Sequence, residues 1–403
     1  MATTISTPAP TDLNTTMLLL AAADHNTPVL TSLLKTSSPN VQDPDSKRTP
    51  LHVAIAGCNR DDPPEKLRAA EDTLKLLLQN GAIWNDLDGD GETPGCVAYR
   101  LGLKRLYEVM VEAGVRAELV LARLGGWEEI EDEGDEGDEG EVFDGGREGE
   151  GAAEGVEWVE KGGSGIGAAV AVVAGEKDAN SENYLKSELK YHEDRLLDSD
   201  NNGVMMEWER NIMERSVEAL LPGDKPGRSI MNIGFGMGIF DTLAQKKNVA
   251  RHIIVEPHKD VLKKMGEEGW GKKAGVEILE GRWQDVLESL IQTGQTVNAI
   301  YFDTFAEDYS QLKLFFSEYV IALLSQEGGR FSFFHGLGAD RRISYDVYTR
   351  VVEMDLFDAG LETTWETFEL GEGEGQKEQE WEGVRRRYWT LGEYKLPICM
   401  FME

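Results

Sequence analysis

The stretch Ser229-Ile-Met-Asn-Ile-Gly-Phe-Gly-Met-Gly238 decides the fold, together with His252-Ile-Ile-Val-Glu256 shortly after it. In the first stretch an apolar run enters three alternating glycines, and in the second an apolar run ends in an acid. Glycines at a strand-to-helix turn let the backbone bend sharply and lie against a ligand that a Cβ would push away. An acid at the end of the next strand can accept hydrogen bonds from both ribose hydroxyls of an adenosine. The two stretches therefore predict a bound nucleoside cofactor.

The spacing of the glycines distinguishes between classes of cofactor. A dinucleotide fingerprint, G-x-G-x-x-G/A, needs a small residue at position 239 if it starts at Gly234, or at position 241 if it starts at Gly236. Ile239 and Asp241 occupy those positions, so both alignments fail. The G-x-G-x-G pattern instead resembles the first motif of S-adenosylmethionine-dependent methyltransferases, whose ligand has no pyrophosphate. The alternative is that these glycines serve only a tight turn.

Apolar runs of strand length recur after residue 181, with helical patterns between them. This alternation is typical of βαβ units, so the predicted fold class is α/β, a Rossmann-like domain with a mostly parallel sheet and helices on both faces. Two late runs flank a charged, glycine-rich insert, Gly371–Gly383, and predict an antiparallel pair at the sheet edge. The predicted strands are 230–233, 252–255, 276–279, 299–302, 330–334, 362–370 and 396–402. The predicted helices are 184–191, 205–221, 239–244, 259–267, 285–291 and 312–324.

The first part of the chain carries a repeat signature. Thr49-Pro-Leu-His-Val-Ala54 matches the T-P-L-H-x-A motif of an ankyrin repeat, and Thr93-Pro-Gly-Cys-Val-Ala98 is a degraded second copy. A weaker unit precedes them between Leu18 and Leu34. Because such units bury their apolar faces only by stacking, three of them predict an all-α module. Ankyrin stacks bind other proteins and seldom catalyse, so His52 is interpreted as a structural histidine.

A run of Gly, Glu and Asp separates the two parts of the chain. Its many acids and few apolar residues predict a self-repelling flexible linker, although an acidic tether that recruits basic substrates is an alternative. The predicted domains are an ankyrin-repeat-like module at 1–125, the acidic linker at 126–180 and a methyltransferase domain at 181–403.

Composition excludes several functional classes. A formal net charge of −33 argues against direct nucleic-acid binding, which requires Lys and Arg to neutralise phosphates. Three scattered cysteines are too few for a disulfide framework or a zinc site, so no metal is expected. Neither a signal peptide nor a membrane-spanning run is recognisable. We expect a soluble protein of the cytoplasm that does not bind membranes, with access to the nucleus left open.

Residues that follow the predicted strands define a candidate site, because ligands of open α/β sheets bind at the carboxyl ends of the strands. Trp283 could lie flat against an adenine, or it could only pack against the sheet edge. Gln284 or Asp285 could meet the adenine amino group. His258 and His335 are conceivable bases, but a lone histidine beside a loop is usually structural.

Four segments together resemble the guanidinoacetate N-methyltransferase group: Val204–Met213, Asn232–Gly238, Gly281–Asp285 and Tyr301–Phe305. With an ankyrin region and an acidic linker in front, the chain is similar to type IV protein arginine methyltransferases, which methylate the internal δ-nitrogen of arginine. The sequence departs from that pattern at Asn232, where many methyltransferases carry an acid.

The resemblance implies an S-adenosylmethionine cofactor, with S-adenosylhomocysteine as product, and a pair of acids, Glu209 and Asp303, that face the guanidino group. Without the resemblance, Glu209 is better interpreted as a surface acid of a helix. The implied cofactor contacts are Tyr184, Met213, Phe235, Gly236, Met237, Gly238, Ile239, Phe240, Glu256, Pro257, His258, Trp283, Gln284 and Asp303.

The predicted function is therefore protein arginine methylation, with a protein substrate docked partly by the ankyrin module. Two alternatives remain at this point. One is a small-molecule guanidino N-methyltransferase, which would need no docking module. The other is a binding protein whose methyltransferase fold no longer reacts.

Overall fold

The computed structural model describes residues 13–128, 181–223, 225–371, 375 and 377–402. Helix α6 continues through Glu128, and the rest of the predicted acidic linker lies outside the described residues, so the domain boundaries stay predictions. The helices are α1 (Leu13–Ala23), α2 (Thr27–Leu33), α3 (Pro50–Ala56), α4 (Pro64–Gln79), α5 (Pro94–Arg100), α6 (Lys104–Glu128), α7 (Ser181–Lys186), α8 (Arg210–Leu220), α9 (Ile239–Gln245), α10 (Lys259–Glu267), α11 (Trp283–Gln292), α12 (Tyr309–Leu314), α13 (Ile321–Leu323) and α14 (Arg342–Asp358).

The strands form two sheets. The strands are β1 (Lys190–Tyr191), β2 (Arg195–Leu197), β3 (Gly203–Met206), β4 (Ser229–Ile233), β5 (Arg251–Glu256), β6 (Val276–Glu280), β7 (Ala299–Phe302), β8 (Arg330–Phe333), β9 (Leu361–Glu369) and β10 (Glu393–Phe401). The small sheet has the order β1-β2-β3, and the large sheet has the order β6-β5-β4-β7-β8-β10-β9. The first five strands of the large sheet are parallel, whereas β10 pairs antiparallel with both of its neighbours. The predicted α/β class and the antiparallel edge pair are confirmed.

Successive side chains of the central strands point to opposite faces of the large sheet, and helices cover both faces. On β4, Ile230 packs with α8, α9 and α10, whereas Met231 packs with α11 to α14. The order of chain connection reverses at β4, since β5 lies on one side of it and β7 on the other. A crevice at the carboxyl ends of β4 and β7 is therefore the expected ligand site.

The helical predictions need two corrections around the small sheet. The helix predicted at 205–221 was expected to begin at Met205, but Met205 and Met206 belong to β3, which pairs with β2 after the turn at Asn201 and Asn202. The helix starts at Arg210, after a 3₁₀ turn over Glu207–Glu209. The helix predicted at 184–191 stops at Lys186, and Lys190 already belongs to β1. In both places the residues pair as strands, although the local sequence has a helical periodicity.

The N-terminal helices α1–α6 form the predicted repeat module. His52 joins two repeats, because Nδ1 lies 2.8 Å from the Thr49 hydroxyl oxygen and Nε2 lies 2.9 Å from the Glu92 carbonyl oxygen. Within the described ranges, no helix combines the length and apolarity needed to cross a bilayer.

The repeat module packs directly on α14, a helix that the sequence analysis did not predict. The Tyr107 hydroxyl donates to Asp346 at 2.6 Å, and the Tyr348 hydroxyl donates to Glu118 at 3.2 Å. Ile343 is fully buried, and a Cβ on Gly95 would overlap its side chain. The apolar face of α14 is thus part of one core shared by the repeats and the sheet.

Candidate active site

The turn between β4 and α9 requires glycine. Gly234 has φ +94° and Gly236 has φ +56°, in the left-handed region that side chains disfavour. A Cβ on Gly236 would come within 2.6 Å of the Met205 Cε atom. The glycines therefore let this turn pass close to β3 and to the end of β7, where it forms part of a cavity wall.

Glu256, the last residue of β5, fixes the shape of the turn. Its Oε2 accepts a hydrogen bond from the Phe235 N–H at 2.9 Å, and its Oε1 accepts one from the His258 N–H at 2.7 Å. Only 3% of the residue is exposed, and burial raises the pKa of its carboxyl to about 7. Each carboxylate oxygen has a second lone pair that can accept a ribose hydroxyl.

A cavity of about 580 Å³ lies at the carboxyl ends of β4, β5 and β7, as the sheet order requires. This volume includes space that is open to solvent. It is lined by Ser181, Tyr184, Leu185, Val204, Met205, Ile233, Gly234, Gly236, Val255, Glu256, Pro257, Arg282, Trp283, Asp303, Thr304, Phe305 and Glu307. Six of the predicted cofactor contacts lie together in this lining, and their roles stay predictions: Tyr184, Gly236, Glu256, Pro257, Trp283 and Asp303.

Other predicted contacts lie behind this wall. Phe235 and Phe240 are buried in the core beneath the turn, where Phe240 stacks on Tyr301 with ring centroids 4.1 Å apart. The Met237 N–H points at the Met205 sulfur, 3.2 Å away. The predicted residues that do not line the cavity are Met213, Phe235, Met237, Gly238, Ile239, Phe240, His258, Gln284 and Glu209. Their roles stay predictions.

The packing of Trp283 favours the second of its two interpretations. Its ring is 2% exposed and meets Phe315 and Tyr319 edge-on, with centroids 5.2 Å and 5.0 Å away. Its indole N–H donates to Glu307 at 3.1 Å. The Gln284 amide also donates to Gln311, at 2.9 Å. These two side chains hold the cavity wall in place rather than presenting a free face to an adenine.

The sequence analysis missed a further part of the wall. Thr304, Phe305 and Glu307 directly follow β7, so the strand-end argument that selected Asp303 could have found them. Val204 and Met205 lie on β3, a strand that the sequence analysis did not predict, and Met205 was assigned to a helix instead. The other missed residues are Ser181, Leu185, Ile233 and Val255, whereas Gly234 and Arg282 belong to segments that the sequence analysis had singled out.

Glu209 is held at the start of α8. Its Oε2 accepts from the Met206 N–H at 3.1 Å, and its Oε1 accepts from the Tyr388 hydroxyl at 2.5 Å. The residue is 5% exposed, and burial raises the pKa of its carboxyl to about 7. A buried acid beside the cavity differs from the exposed helix acid that composition alone favours.

Asp303, at the end of β7, lies near Glu209. Burial, and then the charge of Glu209, hold the pKa of Asp303 well above its usual range. The two carboxylates come from different elements and repel each other electrostatically. Two neighbouring carboxylates can hold a cation between them, because the positive charge offsets their mutual repulsion.

The departure at Asn232 has a physical reason. Asn232 Nδ2 donates to Asp241 Oδ2 at 2.8 Å, and Asp241 Oδ1 lies 2.9 Å from His252 Nε2. Asp241 and His252 are fully buried. A second acid at position 232 would face the Asp241 carboxylate without a donor between them, whereas the amide supplies that donor.

The two histidines considered as bases have structural roles. His335 is fully buried, its Nε2 lies 2.9 Å from the Thr349 hydroxyl, and burial lowers the pKa of the ring to about 3. His258 caps α10, because its Nδ1 accepts the Asp260 N–H at 3.2 Å. Neither lines the cavity.

Comparison with known proteins gives matches along both parts of the chain. The family described as guanidinoacetate N-methyltransferase matches residues 173–338, and the ankyrin repeat family matches residues 46–89. Protein arginine N-methyltransferase 2 of Aspergillus fumigatus is 47% identical, over 97% of this chain and 97% of that protein. The Aspergillus oryzae protein of the same name is 46% identical, over 97% and 98%. The Saccharomyces cerevisiae one is 39% identical, over 88% and 84%. Because these identities extend over most of both proteins compared, the chain belongs to the protein arginine N-methyltransferase 2 family.

Proposed function

We propose that this chain transfers a methyl group from S-adenosylmethionine to a guanidino nitrogen of arginine in a protein substrate. The observation that carries the proposal is the placement of Asp303 in the wall of a glycine-lined cavity at the reversal point of the sheet, with Glu209 close enough for its charge to raise the pKa of Asp303. Membership of the family supports the same conclusion.

The cavity fits the cofactor in three respects. Gly234 and Gly236 both line the cavity, so a ligand there meets a turn without side chains, which packs closely on Asp303 and Met205. Glu256 stands at the end of the strand next to that turn, where it can accept ribose hydroxyls. Tyr184 and Phe305 meet edge-on at 4.9 Å and line the cavity with an aromatic surface for an adenosine.

The acids prepare the acceptor. An arginine side chain is a planar cation whose pKa exceeds ~12, so its nitrogens are poor nucleophiles. Two carboxylates can hold its N–H groups, orient one nitrogen towards the cavity and stabilise the positive charge while a proton is lost. When bound, S-adenosylmethionine supplies an activated methyl group. Holding donor and acceptor in line can lower the barrier by up to roughly 7–11 kcal/mol.

We also propose that the δ-nitrogen is the site of a single methylation. The resemblance to type IV enzymes supports this choice. A buried Glu209 is consistent with it, because the terminal nitrogens at the tip of the side chain must enter beyond the methyl donor for the internal nitrogen to reach it, and a buried acid can hold them there. The alternative is a small-molecule guanidino methyltransferase, favoured by the match of residues 173–338 to guanidinoacetate N-methyltransferase. A non-catalytic binding protein is the other alternative.

The ankyrin module is proposed to dock the protein substrate, in a protein of the cytoplasm with access to the nucleus. The repeat match at residues 46–89 supports protein binding. The net charge of −33 favours basic, arginine-containing partners over nucleic acid.

The test is methylation with labelled S-adenosylmethionine in cell extract, followed by mass spectrometry of the modified residue. We expect monomethylarginine with the fragmentation of a δ-methylated side chain, and none with Glu209→Gln. A terminal-nitrogen product would reject only the choice of nitrogen. Label only in small metabolites would favour the small-molecule alternative, and no cofactor binding by calorimetry would leave the binding-protein alternative.

A further inference from the structure

A hydrogen bond joins the C-terminal segment to one of the two acids. The Tyr388 hydroxyl donates to Glu209 Oε1 at 2.5 Å, across 179 residues of sequence. Tyr388 follows the Gly371–Gly383 insert and is half-buried. The sequence analysis gave this tyrosine no role, and it does not line the cofactor cavity.

The ring of Tyr388 is fixed by its neighbours. It meets Trp381 edge-on with centroids 4.8 Å apart, and Trp208 lies 6.1 Å away. A Cβ on Gly203 would stand 3.1 Å from Tyr388 Cε1, tighter than ordinary contact, so the glycine lets the ring approach β3. Trp208 precedes Glu209 in the chain, which ties the tyrosine and the acid to one aromatic cluster. The direction of the hydroxyl is therefore set by packing.

The bond fixes the carboxylate as well. One oxygen of Glu209 is held by the Met206 N–H and the other by Tyr388, so the plane of the group cannot turn freely. The titratable groups that influence this site from other elements are Asp303 beyond β7, Tyr301 on β7 and Tyr394 on β10. Tyr388, in addition to these three groups, donates a hydrogen bond directly to Glu209.

We propose that Tyr388 is a positioning residue for the methyl acceptor, whose hydroxyl orients Glu209 and stabilises its charged form for the guanidinium. The inference rests on the proposed function for its catalytic consequence. The phenol itself stays protonated, because burial and the neighbouring Glu209 hold the pKa of Tyr388 well above its usual range. It therefore acts as a donor and not as a base.

The consequence is a defined pH dependence. A hydrogen bond to an ionised carboxylate lowers its pKa, and this bond opposes the burial that raises the pKa of Glu209 to about 7. Removing the hydroxyl raises that pKa further. The acidic limb of kcat/KM for an arginine peptide should then move to higher pH, since the guanidinium requires the charged acid.

The experiment compares Tyr388→Phe with Tyr348→Phe. Tyr348 makes the same kind of bond to a carboxylate, Glu118, at the repeat interface and away from the cavity. For Tyr388→Phe we expect the acidic limb to move up by about one pH unit, with kcat/KM about tenfold lower below the limb and recovered above it. The affinity of the Tyr388→Phe protein for the cofactor should stay within about twofold of the parent protein's, because the hydrogen bond between Tyr388 and Glu209 is separate from the cavity wall. Tyr348→Phe should leave the limb in place.

A second measurement is independent of activity. The carboxyl carbon-13 signal of Glu209, identified by its loss in Glu209→Gln, should titrate at higher pH in Tyr388→Phe. An unmoved carbon-13 titration overturns the inference, as does a loss of activity equal at every pH, which would mean that Tyr388 only packs. A moved titration in a protein that methylates no arginine would support the Tyr388–Glu209 link and reject the proposed function.

Discussion

The backbone of Asp303 lies directly against Gly234, so closely that a Cβ on the glycine would overlap the Asp303 carbonyl oxygen. The contact joins the turn that walls the cofactor cavity to the strand end that carries one of the paired acids. Backbone packing thus fixes the position of the proposed cofactor site relative to the proposed acceptor site.

Gly234→Ala should destabilise the protein by at least about 1–3 kcal/mol, because alanine is strained at φ +94° and must push Asp303 away. Thermal unfolding measures the loss. Gly266→Ala is the control: Gly266 lies in α10 with nothing near its missing Cβ, and alanine there should gain up to about 1 kcal/mol. Equal unfolding temperatures for the two variants would mean that the turn tolerates a side chain.

Asp303→Asn should lower kcat about 10²–10³-fold, because the amide cannot stabilise positive charge on the acceptor. Steady-state kinetics with an arginine peptide measures the loss, and calorimetry should show the cofactor still bound. Glu207→Gln is the matched control, since Glu207 pairs with Arg210 on the outside of the same helix start. Activity of Asp303→Asn equal to that of the control would exclude the paired acids from the mechanism.

Glu209 should make the cofactor-free protein less stable as pH rises. Its pKa is about 7 when folded against 4.5 as the ordinary value, so the folded state binds more protons between these limits. The free energy of unfolding should therefore fall from about pH 4.5 to about pH 7, by up to about 3 kcal/mol from this one acid. Urea unfolding at both ends of the range measures the slope. Glu209→Gln should make the slope less steep and Glu207→Gln should not, while Glu256 and Asp303 keep contributing to it; identical slopes in all three proteins would contradict the burial argument.

Ile343→Ala should cost about 2–5 kcal/mol, because it opens a cavity where α14 meets the repeat module. Phe357→Ala, on the same helix but 63% exposed, should stay within about 0.5 kcal/mol of the parent protein. Denaturant unfolding measures both values. An Ile343→Ala protein as stable as Phe357→Ala would show that the module is only loosely attached.

The sequence predicted those features that depend on local chemistry. The glycines of Gly234–Gly238 and the acid Glu256 could be interpreted from their spacing, because the turn and the strand end that they belong to are formed by neighbouring residues in the chain. The pairing of Glu209 with Asp303 came from family resemblance, and the structure adds the electrostatic link between them.

Features that depend on distant partners were not predictable in the same way. Met205 reached the cavity because β3 pairs with β2, which overrode a helical pattern. Tyr388 precedes β10 in the chain, and it reaches Glu209 in a fold where β10 lies between β8 and β9. Long-range contacts of this kind leave no periodic signal in the chain.

Ile343 and Asp346 attach the repeat module to α14, so the fold sets the distance between the repeats and the cavity. If the repeats dock the protein substrate as proposed, the docked segment lies at a fixed distance from Asp303. Arginines at a matching separation from the docked segment would enter the site, and those at other separations would fall short of it or pass beyond it.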